Sequence, residues 1–199
     1  MMNILQTTYF GPVAWYAELI CNGAAVSTTD CFRRQTMRNR CRIATANGVQ
    51  TLTVPCTLPP EARGGCCDVT AVTVSDHGNW RHLHWKALEA AYGMSPFFDY
   101  YADDLRPLFE PEWDRLFDYN LEITRTMLRL LGAEMTEVRL ADAPVTMPTE
   151  SIPDAGVGYY QTFGRRHGFL PRMSILDLLC NEGPESIVRI METAARRNV

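Results

Sequence analysis

Gln6-Thr-Thr-Tyr-Phe-Gly-Pro12, running directly into Val13-Ala-Trp-Tyr-Ala-Glu-Leu-Ile20, is the stretch that decides the fold. A short apolar run, Met2–Leu5, precedes it and reads as a strand. Pro12 suits the first turn of a helix, because its fixed φ matches and its missing N–H is not needed there. The helix is predicted over Val13–Cys21 and stops at Asn22-Gly23, a common C-terminal signal. Ala24–Thr28 is small and β-branched, so a second strand follows. A strand-helix-strand unit gives parallel strands joined by a right-handed crossover. Its first turn is a place where polar side chains and helix N–H donors converge on a ligand.

Working outward, Arg33, Arg34, Arg38, Arg40 and Arg42 fall within ten residues with no acid between them. Cys41–Thr45 and Val49–Val54 then flank Ala46-Asn47-Gly48, and Asn-Gly between two β-like runs predicts a hairpin. Thr57–Cys67 reads as a loop and Val69–Ser75 as a strand. The second half is helical in pattern. Trp80, Leu83, His84, Ala87, Leu88 and Ala91 recur on one helical face, and Pro96–Tyr101 opens another helix after Ser95. Trp113–Leu131 traces a long helix, Thr136–Leu140 a late strand, and Ala141–Gly158 a loop. Ser174 caps a short helix, and Glu185–Arg197 forms the last. The expected class is α/β: a mixed sheet with an N-terminal strand-turn-helix-strand unit, a β-hairpin and a helical second half. One domain is expected over residues 1–199, with a sheet-rich lobe at 1–75 and a helix-rich lobe at 76–199.

Composition narrows the function. The chain of 199 residues is 46% hydrophobic and carries a net charge of −4, so charge-driven nucleic-acid binding is not expected. The longest near-apolar run, Val13–Ile20, is too short to span a bilayer. Seven cysteines occur, none in a C-x-x-C pair, and Met1–Gln6 carries no signal peptide. Reduced structural cysteines and a cytoplasmic setting are expected.

Gln6 and Tyr9 stand where the first strand ends, the edge at which open α/β sheets hold ligands. Arg38, Asn39, Arg40 and Arg42 suit a phosphate, diphosphate or carboxylate, which a guanidinium holds in two-point fashion; the alternative is a solvated, charged strand edge. His84 lies on an apolar stripe and is either a proton-transfer group or a satisfied core residue. His167, in a Gly-flanked loop after Arg165-Arg166, is the preferred general base, with Asp177 as an orienting carboxylate. Trp80 and neighbouring aromatics offer rings on which a sugar stacks, or core packing. Arg81 reads as part of a polar face. The four histidines lack metal-ligand spacing, so no metal is expected.

Several of these motifs, in order, resemble the WbqC-like proteins: Gln6–Pro12, Arg38-Asn39-Arg40-Cys-Arg-Ile43 with Leu52-Thr-Val-Pro55, Trp80–Tyr92 with Ser95-Pro-Phe-Phe98, and His167-Gly-Phe-Leu-Pro171 with Ser174-Ile-Leu-Asp-Leu-Leu179. The resemblance spans nearly the whole chain and is weakest over Ala141–Gly158. It implies a bacterial protein associated with surface-polysaccharide (O-antigen) gene clusters, and a transferase that moves an acyl or aminoacyl group, glycyl among the candidates, to a sugar or nucleotide-sugar. The co-substrate would be a nucleotide-activated or acyl donor, and self-association into a homo-oligomer is left open. A looser likeness links the opening to nucleotidylyltransferase-like (Rossmann-like) folds. Those enzymes place histidines in the first turn, whereas this turn holds Thr8, Tyr9 and Gly11. The rival readings are therefore a non-catalytic nucleotide- or carbohydrate-binding protein and an atypical nucleotidylyltransferase.

Overall fold

The computed structural model describes residues 2–62, 66–110, 113–135, 137–154 and 157–197. β1 (Ile4–Leu5) leads through the bend at 6–12 into α1 (Val13–Cys21), then β2 (Ala25–Ser27). β1 and β2 are parallel, with Ile4 opposite Ala25, so the opening unit forms as its turn chemistry dictates. β3 (Cys31–Phe32) precedes the arginine hairpin, in which β4 (Arg40–Thr45) pairs antiparallel with β5 (Gly48–Thr53). The Asn-Gly turn sits at its tip, with Thr45 and Gly48 closing the ladder.

The next segment departs from expectation at both ends. β6 (Cys56–Thr57) and β7 (Cys67–Asp68) take residues expected in a loop; residues 63–65 of that loop lie outside the described residues. Val69–Ala71 is a 3-10 turn rather than strand, because the Asp68 carboxylate accepts the Thr70 N–H at 2.8 Å and curls the chain. Only β8 (Thr73–Val74) extends, pairing with β6, while β7 pairs with β3. That second pairing brings Cys31 and Cys66 together as a disulfide with Cα atoms 5.4 Å apart, within the span such a bridge requires. The expectation that every cysteine is reduced fails for this pair.

α2 (Trp80–Tyr92), α3 (Phe98–Leu105) and α4 (Leu116–Leu130) make the helical middle. α2 buries Trp80, His84, Trp85, Leu88, Ala91 and Tyr92, while Leu83 is 59% exposed. The buried arc is thus turned toward Trp85, because α2 is wedged between β4 and the 3-10 turn Arg106–Phe109. β9 (Leu140–Ala141) joins β2 in parallel and completes a three-stranded sheet, β1-β2-β9. Thr136, the first residue of the expected late strand, lies outside the described residues, as do 155 and 156 of the connecting arm. That arm is not structureless: Met147 bridges Leu5 in parallel, and Thr149–Ser151 forms a 3-10 turn. α5 (Gly164–His167), α6 (Ile175–Glu182) and α7 (Ser186–Arg197) close the chain. The fold is mixed α/β with small sheets, as the sequence predicts.

One cluster of buried apolar side chains draws on the bend (Leu5, Tyr9, Phe10, Trp15), the hairpin (Ile43, Leu52, Val54), the middle helices (Leu88, Leu116, Ile123) and α6–α7 (Leu179, Ile190). Each fully buried side chain of this size contributes about 1.5–3 kcal/mol. α7 packs along α1, and the Arg197–Glu18 ion pair, 2.6 Å long and nearly solvent-free, fixes that contact.

Candidate functional site

The bend at 6–12 is held from three sides. Tyr9 donates its N–H to the Met37 carbonyl at 2.9 Å, which ties the bend to the arginine segment. Ile175 donates to the Gly11 carbonyl at 2.9 Å and Ser174 to the Arg42 carbonyl at 2.8 Å, so the start of α6 fills the angle between bend and hairpin. The Tyr9 hydroxyl meets His84 Nδ1 at 2.9 Å, which ties the bend to α2. The backbone here is forced: Phe10 is left-handed at φ 44°, and a Cβ on Gly11 would lie 2.5 Å from Thr8 Oγ1. Arg172, just before α6, is also left-handed at φ 58°. Such conformations cost about 1–3 kcal/mol each and persist where surrounding structure imposes them.

The predicted residues are sorted differently by their surroundings. Arg38 is not free to grip an anion: its Nε and Nη2 reach the two Asp30 carboxylate oxygens at 2.6 and 2.8 Å, both side chains being buried. Its neighbour Asn39 donates to the Val54 carbonyl across the hairpin. Arg40 is half-buried with Nε unpartnered. Gln6 is fully buried, and both of its amide atoms lack partners, as do Thr8 Oγ1 and Ser174 Oγ. Buried polar atoms are ordinarily satisfied. Gln6, Thr8 and Ser174 belong to the bend or to the segment hydrogen-bonded to it, while further buried atoms without partners, among them Arg81 Nε, Tyr92 Oη and Trp113 Nε1, lie elsewhere.

His84 and Tyr9, read separately from the sequence, form one buried pair. With Nδ1 facing Tyr9, the other ring nitrogen is left for the Thr53 backbone. Burial lowers the His84 pKa to about 4, outweighing that carbonyl, so the ring is neutral at physiological pH and a weak base. Burial likewise raises the Tyr9 hydroxyl, with the neighbouring Tyr119 adding to the effect. The pair orients and supports the bend. Trp80 packs edge-on against His84 with centroids 5.0 Å apart.

Asp177 and His167 are not brought together by a hydrogen bond. His167 Nε2 faces the Ala46 carbonyl at 3.0 Å and anchors the hairpin tip. Asp177 Oδ2 accepts from the Tyr159 hydroxyl at 2.8 Å and from Gln161 Nε2 at 2.7 Å. Burial raises the Asp177 pKa against those hydrogen bonds, which increases its hold on a proton. Tyr159 lines two hollows: a small apolar one with Pro12, Val13, Ala14, Phe169 and Met173, and an open one with Gln161, Thr162 and Phe169. The first sits at the start of α1, beside the bend. Sequence reading missed Tyr159 and Gln161; a glutamine inside the aromatic run at 159–163 was the available signal. Among the described residues, no three His, Cys, Asp or Glu side chains are placed to hold a metal ion, and no helix is long and apolar enough to cross a membrane.

Comparison with known proteins follows the same lines. An uncharacterized protein of Mycobacterium tuberculosis (strain ATCC 25618 / H37Rv) is 27% identical over 218 residues, covering 89% of each chain. No solved structure gives a significant match. The WbqC-like protein family matches residues 6–152, from the first residue of the bend through the turn after Met147; the chain belongs to the WbqC-like protein family.

Proposed function

We propose that the protein is a transferase of surface-polysaccharide synthesis that moves an acyl or aminoacyl group to a sugar or nucleotide-sugar bound at the bend. The observation that carries this reading is the set of buried, unpartnered polar atoms on Gln6, Thr8 and Ser174 at the carboxyl end of β1. Hydroxyls and amides of a neutral acceptor would satisfy them, and this edge of a parallel sheet is where ligands are held. The small hollow lined by Pro12–Ala14 and Tyr159 lies at the start of α1, beside the bend. In this reading the Tyr159 hydroxyl gives its own proton to the Asp177 carboxylate as it takes the acceptor's proton, while the acceptor's oxygen or nitrogen bonds to the acyl carbon and the donor's leaving group departs with the broken bond's electron pair. Tyr9 and His84 position the bend, and His167 holds the hairpin tip. The co-substrate is a nucleotide-activated or acyl donor. Five unpaired cysteines favour a cytoplasmic setting, and the Cys31–Cys66 bridge weighs against it.

A binding role without chemistry is favoured by one observation: His167, the expected general base, faces the Ala46 carbonyl rather than Asp177. A thermal-shift panel of nucleotide-sugars, acyl donors and free nucleotides tests the reading. A ligand at a hundred times its Kd adds about 2.7 kcal/mol, on the order of 5–10 °C for a chain of this size. Gln6→Ala should abolish the shift given by the acceptor. An unchanged shift removes the bend from the site, and binding with no transfer product from any donor selects the non-catalytic reading.

A further inference from the structure

A third concavity, of about 390 Å³, lies between the start of α2 and the 3-10 turn at 106–109. Trp80, Trp85 and Phe109 line it, together with Arg81, Arg106 and Glu110. Both indoles are fixed: Trp80 Nε1 donates to the Ser75 carbonyl at 2.8 Å and Trp85 Nε1 to Glu89 at 2.7 Å. Each carries a guanidinium on its face, Arg81 at 4.7 Å from the Trp80 ring and Arg106 at 5.7 Å from the Trp85 ring. A guanidinium seated over a ring still has N–H donors for an anion. Arg81 also pairs with Asp76, and its Nε is buried without a partner. Arg106 pairs with no carboxylate among the described residues. The entrance turn is set by Gly78 and Asn79, both left-handed at φ 83° and 48°. The groove backs onto the bend, since Phe109 stacks on Phe10 at 6.0 Å and Trp80 packs on His84.

We infer that this groove is a diphosphate-binding site, in which Arg106 and Arg81 hold the pyrophosphate of a nucleoside diphosphate ester. Two guanidiniums, each seated on a different tryptophan of one groove, offer one contact to each of two linked phosphates. The volume lies in the range of small-ligand sites and accommodates the diphosphate with part of an attached ring. The assignment rests on the transferase reading for its biological use, and names the activated co-substrate class of that reading. Arg38 is held at two points by the buried Asp30 and Arg81 is shared with the exposed Asp76, so Arg106 makes the main anion contact and Arg81 the second.

The test is calorimetric titration of the full chain with inorganic pyrophosphate, uridine 5′-diphosphate and inorganic phosphate, with tryptophan emission followed in parallel. Pyrophosphate and the nucleoside diphosphate should bind and perturb the emission, at least tenfold more tightly than phosphate. Arg106→Gln should weaken diphosphate binding tenfold or more, and Arg106→Lys should recover only part of it, since the planar fork is lost. Glu110→Gln, which removes an acid from the same groove, should tighten binding at least twofold and guards against misreading a poorly folded arginine variant. No diphosphate binding, equal affinity for phosphate, or full affinity in Arg106→Gln overturns the proposal. Gln6→Ala separates the two readings: diphosphate binding retained in that variant supports the groove, even where the acceptor shift proves independent of Gln6 and the bend reading fails. Diphosphate affinity that is lost in Gln6→Ala and retained in Arg106→Gln overturns the groove.

Discussion

Acidification singles out His84. Burial holds its imidazole at a pKa of about 4 in the folded chain, whereas unfolding restores a value of about 6.5. The native state thus refuses a proton that the denatured state accepts. Above about pH 7 both states leave the ring neutral and the residue contributes no pH dependence. As the pH falls below the unfolded value the denatured state gains the proton, and stability is lost until the folded ring also titrates near pH 4. The loss amounts to about 2 kcal/mol at pH 5 and about 3 kcal/mol once the pH is below 4. Urea melts of the wild type and His84→Gln at pH 7 and pH 5 isolate the effect, because the carboxylates common to both proteins cancel. Asp177 is one of these, and its raised pKa works in the opposite direction. The wild type's advantage over the variant should shrink by about 2 kcal/mol between the two conditions, equivalent to about 4–8 °C in Tm. An advantage that stays constant would refute the claim that this ring is buried and neutral.

Two further outcomes follow from packing. Arg38→Ala leaves the buried Asp30 carboxylate uncompensated and should cost about 3–5 kcal/mol in a urea melt; Asp30→Asn with Arg38→Met should recover a large part of it. Gly183 ends α6 at φ 54°, and a Cβ there would stand 2.5 Å from the Phe97 ring, so Gly183→Ala should lower stability by about 1–3 kcal/mol, measured as a fall in Tm.

What could be read from the chain was local. Pro12 and Asn22-Gly23 bound α1 to the residue, and Asn47-Gly48 located the hairpin, because each signal acts on its own backbone. Val69–Ser75 failed because the Asp68 side chain competes with the sheet for Thr70. The buried arc of α2 was turned toward Trp85 by partners that periodicity cannot see. The site shows the same division. The polar residues of the bend stand out along the chain; the pairs that surround them do not, since Asp30–Arg38, Tyr9–His84 and Tyr159–Asp177 are each made by tertiary contact. Arg81 looked like surface because nothing in its vicinity along the chain announces Arg106.

The Pro12–Ser174 bridge has a consequence for synthesis. The bend at 6–12 is closed by a segment far downstream, so the polar lining around Gln6 stays incomplete until residue 174 has been made. Contacts so distant along the chain slow folding, and domains of this size hold apolar surface exposed while they wait. A nascent chain halted before residue 174 would leave the Gly11 and Arg42 carbonyls without the N–H donors of Ile175 and Ser174, making this junction a late step of maturation.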